Sequence, residues 1–140
     1  MKQIIFLMLS GLLAANVSWA KTCSPADAEA ADMAVDSLNS WTAVNQNRVK
    51  FGHCDDGDIS EGISESVARL LVDHWDTLPE LGSQIHKAPA LKKYVLRHID
   101  STLDTKDLDK IQNQAARLCP AKQEELCGEI KVAAKKAAEE

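Results

Sequence analysis

Apolar residues recur at intervals of three and four along most of the chain beyond residue 25. This spacing is typical of amphipathic helices, because residues three and four positions apart lie on one helix face. The clearest stripe consists of Ile63, Val67, Leu70, Leu71, His74 and Leu78. No alternation of polar and apolar residues is long enough to predict a strand. The pattern therefore predicts an all-α fold, a single compact domain of about five helices.

Glycine, proline and aspartate residues mark the predicted helix boundaries. The first helix is predicted to begin at Pro25, which suits a first helical turn, and to continue to about Val49. The second helix follows a cap at Asp58 or Ser60 and ends at Pro79. The remaining predictions are a connector over residues 80–88 and three helices that start at Pro89, after Asp104 and after Pro120.

The first twenty residues have the pattern of a secretory signal peptide. Lys2 precedes an apolar stretch over residues 4–17, and Ser18 and Ala20 place small residues before a cleavage site after Ala20. This stretch is shorter than the ~20 residues that a membrane-spanning helix needs. We therefore predict an exported, periplasmic protein whose helical domain comprises residues 21–140. Cleavage removes Lys2, the only charge in the segment, and lowers the net charge from -5 to -6.

Four cysteines remain after this cleavage: Cys23, Cys54, Cys119 and Cys127. An even number of cysteines in a small exported protein predicts two disulfides. A zinc site is disfavoured, because the chain has neither a CxxC motif nor a closely spaced pair of histidines. Each disulfide would stabilise the folded protein by roughly 2–4 kcal/mol.

The disulfide pairing depends on where the helices break. An unbroken first helix would be roughly 37 Å long at 1.5 Å per residue. A bridge between Cys23 and Cys54 therefore requires a bend in this helix, which we place near residues 37–40. A bridge between Cys119 and Cys127 requires a loop at residues 120–123. If this bridge forms, Cys23 and Cys54 are the only cysteines left to pair. We favour the long-range pairings, and the choice between the two of them stays open.

Composition and motifs disfavour several function classes. The net charge of -5 and the pI of about 5.3 argue against binding to nucleic acid. A calcium or other metal site could be suggested by His53, Cys54 and the aspartates that follow them. A calcium-binding EF-hand loop is disfavoured, because Glu61 occupies the position where such a loop requires glycine. The sequence shows no Ser/His/Asp set, glycine-rich phosphate loop or cofactor fingerprint. We therefore predict no enzymatic activity, no cofactor and no metal.

Side chains on the apolar stripes are expected to be buried, and the charged side chains opposite them to face solvent. The buried set includes Trp41, Trp75, His74 and His98. The solvent-facing set includes Lys92, Lys93 and Arg97.

Two segments are candidate partner-binding surfaces. Residues 55–61 form a compact negative patch that would suit a basic cleft. Its four carboxylates belong to Asp55, Asp56, Asp58 and Glu61. The predicted connector contributes Ser83 and Gln84, in a Gly-Ser-Gln segment between two helices that would suit insertion into a groove.

An exported helical protein of this size, with four cysteines and no enzyme motif, resembles the periplasmic immunity proteins of type VI secretion amidase effectors (Tai/Rap class). The resemblance implies that the protein binds a cognate effector, a peptidoglycan amidase, and blocks its active-site cleft. Either candidate surface would make this contact. The alternatives are a small periplasmic acid-stress chaperone and a helical adaptor domain. We expect no nucleic-acid partner and no stable membrane insertion, and we leave a homodimer open.

Overall fold

The computed structural model describes residues 21–140, so the predicted signal peptide lies outside the described residues. This part of the chain forms seven α-helices and no strand. The helices are α1 (Pro25–Val35), α2 (Trp41–Phe51), α3 (Gly57–Asp73), α4 (Leu78–Lys87), α5 (Ala90–Arg97), α6 (Thr105–Arg117) and α7 (Glu124–Glu139). Short 3-10 helices at Gly52–Cys54 and Trp75–Thr77 precede α3 and α4. The prediction of an all-α fold is confirmed, and the count of about five helices is too low.

The predicted first helix is two helices, because the chain turns at residues 36–40. Ser40 has an extended backbone, and its hydroxyl accepts a hydrogen bond from the N–H of Ala43, 3.1 Å away. A serine in this position satisfies a backbone donor of the new helix and fixes where it begins. Leu38, in the turn, is buried in the core. The turn lies where a Cys23–Cys54 bridge would require a bend.

The predicted connector over residues 80–88 is also wrong, since most of it belongs to α4. Pro79 lies in the first turn of α4, where a missing N–H costs no helical hydrogen bond. Leu78 and Leu81 are the buried residues of this helix and lie on one of its faces. The predicted second helix therefore ends early, at Asp73, and His74 follows it as an exposed capping residue rather than a buried one.

The core lies between α3 and the helices around it. Trp41 and Trp75 are buried as predicted, with 1% and 8% of their surfaces exposed. Both indole N–H groups donate hydrogen bonds, from Trp41 to the Thr77 hydroxyl (2.9 Å) and from Trp75 to the Leu118 carbonyl (2.8 Å). A buried tryptophan with its polar atom satisfied contributes apolar area without a desolvation penalty.

The two disulfides are Cys23–Cys54 and Cys119–Cys127, so the favoured long-range pairings are wrong. The turn at residues 36–40 returns the chain, and the Cα atoms of Cys23 and Cys54 are 5.0 Å apart. Residues 120–123 form a loop before α7, which leaves the other pair of Cα atoms 6.0 Å apart. Among the described residues, no helix is long and apolar enough to cross a membrane.

An acidic tip joined to a buried polar network

Three exposed carboxylates stand at the N-terminus of α3, on Asp56, Asp58 and Glu61. We call these three residues the acidic tip. The Asp56 side chain accepts a hydrogen bond from the N–H of Gly57, 2.9 Å away, and caps the helix. Gly57 has φ of +53°, a conformation that glycine adopts without steric cost. Local backbone chemistry therefore orders the acidic tip, and the charges also suit the positive end of the helix dipole.

Asp55, which we expected among the surface carboxylates, is buried. Its side chain is only 1% exposed, and Oδ2 lies 3.0 Å from Nε2 of His98. The same oxygen forms an ion pair with the guanidinium of Arg97. The 3-10 turn at Gly52–Cys54 and the disulfide at its end place Asp55 against the end of α5. Asp55 thus anchors the chain directly before the acidic tip, and its carboxylate is not part of the exposed surface.

The buried carboxylate belongs to a network that sequence reasoning missed. His98 is 1% exposed, and its Nδ1 lies 2.8 Å from the hydroxyl of Ser64 on α3. That hydroxyl donates to Oδ2 of Asp100, 2.7 Å away. The burial of His98 was predicted from its place on an apolar stripe, and this prediction is confirmed. The hydrogen-bond partners of His98 were not predicted, because they lie 34 to 43 residues away in the sequence.

The residue types Asp55, His98 and Ser64 are those of a nucleophilic triad. The geometry does not suit that role, because Ser64 is 0% exposed and its hydroxyl reaches no substrate in this conformation. The Ser64 proton also lies between two acceptors, His98 and Asp100, rather than being held by one base. The arrangement ties the start of α3 to the end of α5, and it keeps the segment before the acidic tip in one position.

Burial lowers the pKa of His98 to about 4, and the neighbouring Arg97 acts in the same direction. The carboxylate of Asp100 and a hydrogen bond with the backbone of Ser60 oppose this shift of the His98 pKa, because each favours a charged imidazole. Burial also raises the pKa of Asp100, but hydrogen bonds from Ser64 and Thr102 outweigh it and leave that pKa below its ordinary value. At neutral pH the network therefore holds a neutral His98 between two carboxylates.

The free energy of unfolding should fall as the pH is lowered from 6.5 to about 4. In this window the unfolded chain binds a proton at His98 and the folded protein does not, so acid favours unfolding. The loss would be roughly 3 kcal/mol at most, at 1.36 kcal/mol for each unit of pKa. Urea unfolding at half-unit pH steps measures it, and a His98→Gln variant should lack the slope. A stability that rises on acidification would show that the flanking carboxylates, rather than burial, control His98.

The other predicted surface lies on a helix and not in a loop. Ser83 is exposed on α4, and the amide of Gln84 donates a hydrogen bond to the hydroxyl of Thr42 on α2, 3.1 Å away. This hydrogen bond holds the Gln84 side chain against a neighbouring helix. Neither residue forms a hydrogen bond with the acidic tip, so the structure does not unite the two predicted surfaces.

Two of the three basic residues of α5 that were expected to face solvent form ion pairs. Lys92 is half-buried, and its ammonium lies 3.1 Å from the carboxylate of Glu129 on α7. Arg97 pairs with Asp55, although 58% of its side chain stays exposed. Of these three residues, only Lys93 faces solvent without an ion pair to any described residue.

The described residues include no group of three or more His, Cys, Asp or Glu side chains arranged to hold a metal ion. Comparisons with protein-family models, curated proteins and solved structures found no match for this chain.

Proposed function

We propose that this protein is a periplasmic immunity protein that binds a cognate peptidoglycan-amidase effector and blocks its active-site cleft with the acidic tip. The observation that supports this proposal most is that the two residues directly before the acidic tip are both held in place. Cys54, just before it, is bonded to Cys23, and Asp55 is buried against Arg97 and His98.

A fixed tip is what an inhibitor needs. Association must overcome the loss of conformational freedom at the interface, and a segment that is already ordered loses less. Asp56, Asp58 and Glu61 stand on the first turns of a 17-residue helix, which orders their backbone before any partner arrives. The tip can therefore present its carboxylates to a cleft without first being folded into shape.

The charge of the chain supports the same proposal. A net charge of -5 attracts a basic partner over a distance of about a Debye length, and the exposed carboxylates concentrate that field at the acidic tip. Such steering mainly raises the association rate, and it weakens as salt is added. The two disulfides are compatible with an exported protein.

The first experiment is a pull-down from a lysate of the native organism, with the oxidised protein as bait and mass spectrometry to identify what it retains. The proposal expects one stoichiometric small hydrolase that loses activity against peptidoglycan when bound. A broad set of unfolded proteins would contradict the proposal and support a chaperone.

Reversing two charges of the acidic tip should then weaken the complex by more than tenfold at physiological salt. We choose Asp58→Lys with Glu61→Lys, because both side chains are exposed and neither caps the helix. Each would replace an attraction to a basic cleft with a repulsion. Calorimetry with the retained hydrolase measures the affinity.

The matched control is Asp109→Lys with Glu139→Lys, which changes the net charge equally at exposed positions on α6 and α7. This variant should lose only the long-range attraction, and its affinity should stay within about threefold of the parent. Equal losses in the two variants would mean that overall charge, and not contact at the acidic tip, determines the affinity.

A further inference from the structure

A second charged surface lies beside the acidic tip. It is an open pocket of about 240 Å³ between α2 and α5, which we call the basic pocket. Its lining consists of Arg48, Gly52, Ala90, Lys93, Tyr94 and Arg97. Three of these six residues are cationic and none is acidic.

Helix periodicity explains one wall of the basic pocket. Ala90, Lys93, Tyr94 and Arg97 have the spacing of one face of α5. Tyr94 is 7% exposed, and the guanidinium of Arg97 lies 5.7 Å from the centre of its ring. Arg48 contributes the opposite wall from α2. The small residues at positions 52 and 90 leave the pocket open.

The cations of the basic pocket are only partly neutralised. Neither Arg48 nor Lys93 forms an ion pair within residues 21–140. Residues 1–20 contain no aspartate or glutamate that could neutralise them. Clustered like charges repel one another, and a bound anion would relieve that repulsion.

The acidic tip and the basic pocket meet at the ion pair between the buried carboxylate of Asp55 and the exposed guanidinium of Arg97. Arg97 lines the pocket, and Asp55 directly precedes the first carboxylate of the tip. An extended polyanion, such as a nucleic acid or an anionic membrane, would be repelled by the tip as it approached the pocket. A polypeptide that carries both signs of charge close together is complementary to both surfaces.

We propose that the basic pocket binds an acidic side chain of a polypeptide partner whose neighbouring basic side chains face the acidic tip. The volume supports this occupant, because small-molecule sites usually enclose about 300–1,000 Å³. Arginine also suits a carboxylate, since its guanidinium can donate two parallel hydrogen bonds. The proposal does not require the partner to be an amidase, so it goes beyond the proposed function.

The test is an NMR titration of the ¹⁵N-labelled, oxidised protein with a capped peptide of two glutamates, one glycine and two lysines. The amide signals of Gly52 and Lys93 should move on binding. Lys93→Glu should weaken the binding at least fivefold, and Lys110→Glu, an equal change of charge on α6, should weaken it less than twofold. Dispersed spectra of both variants show that they are folded.

A second variant blocks the basic pocket without changing its charge. A Cβ atom at Gly52 would meet no protein atom within 4 Å, so a side chain can start there without a clash, and Gly52→Leu is chosen to add bulk to the lining of the pocket. This variant should also weaken the peptide binding at least fivefold. Unchanged binding in both pocket variants would overturn the proposal.

Two further measurements separate the other occupants. Inorganic phosphate that binds as tightly as the peptide would show a general anion site and overturn the commitment to a polypeptide. Amide shifts at the same residues that grow with protein concentration, without peptide, would identify a second copy of this chain as the occupant and also overturn it. Each result is independent of whether an amidase is inhibited, so failure of the proposed function is distinguishable from failure here.

Discussion

Replacing Asp55 with alanine is expected to lower the free energy of unfolding by about 1–3 kcal/mol, the usual cost of leaving a buried hydrogen-bonding group without its partner. The substitution removes the carboxylate that lies 3.0 Å from His98 and that pairs with Arg97. The imidazole stays buried without its partner, and an unpaired buried polar group carries the full cost of desolvation. Urea unfolding of the oxidised protein measures the change.

The matched control is Glu61→Ala, an exposed carboxylate six residues along the chain. This variant should change the free energy of unfolding by no more than about 0.5 kcal/mol, because its side chain is solvated. If both variants were equally stable, the buried network would not support the acidic tip. The two free energies of unfolding thus distinguish a buried structural carboxylate from an exposed one within the segment 55–61.

The second large effect concerns the disulfides. Removing Cys23–Cys54 should destabilise the protein by roughly 4 kcal/mol, and removing Cys119–Cys127 by roughly 2.5 kcal/mol, from the entropy of closing loops of different length in the unfolded chain. The bridges span 31 and 8 residues. Both are removed by paired Cys→Ala substitutions, and chemical denaturation measures each loss.

The two bridges form a matched pair, because each joins one buried and one half-buried cysteine. The cavities left by alanine should therefore be similar, and the difference between the variants should reflect loop length. The variant without Cys23–Cys54 should also bind the effector more weakly, since the segment before the acidic tip is released. A larger loss from the shorter loop would contradict the entropic argument.

The sequence predicts an acidic surface at residues 55–61, but it does not show which of the four carboxylates is buried. Asp56, Asp58 and Glu61 are exposed, as their charge and their place at a helix N-terminus indicate. Asp55 has the same chemistry and the same neighbourhood in sequence, yet it is buried. The difference comes from His98 and Arg97, which a distant helix brings to this point.

The buried network gave no local signal for the same reason. Ser64 lies on the buried face of α3, but no residue near it in the sequence indicates which groups its hydroxyl contacts. Only the packing of α3 beside the end of α5 places its hydroxyl 2.8 Å from His98. The basic pocket likewise requires Arg48 and Lys93, 45 positions apart in the printed sequence, to face one opening.

The sequence by itself determined the all-α class, the burial of both internal tryptophans and local starts such as the Asp104 cap of α6. These features depend on helical periodicity and on hydrogen bonds between neighbours a few residues apart. The tertiary structure decided the disulfide pairing and the burial of Asp55. The pairing depends on how the turn at residues 36–40 and the loop at residues 120–123 direct the helices. The burial of Asp55 depends on the end of α5, which brings Arg97 and His98 to its carboxylate. Such long-range contacts form only when the packing of the whole core offsets the entropy of closing the loops between them.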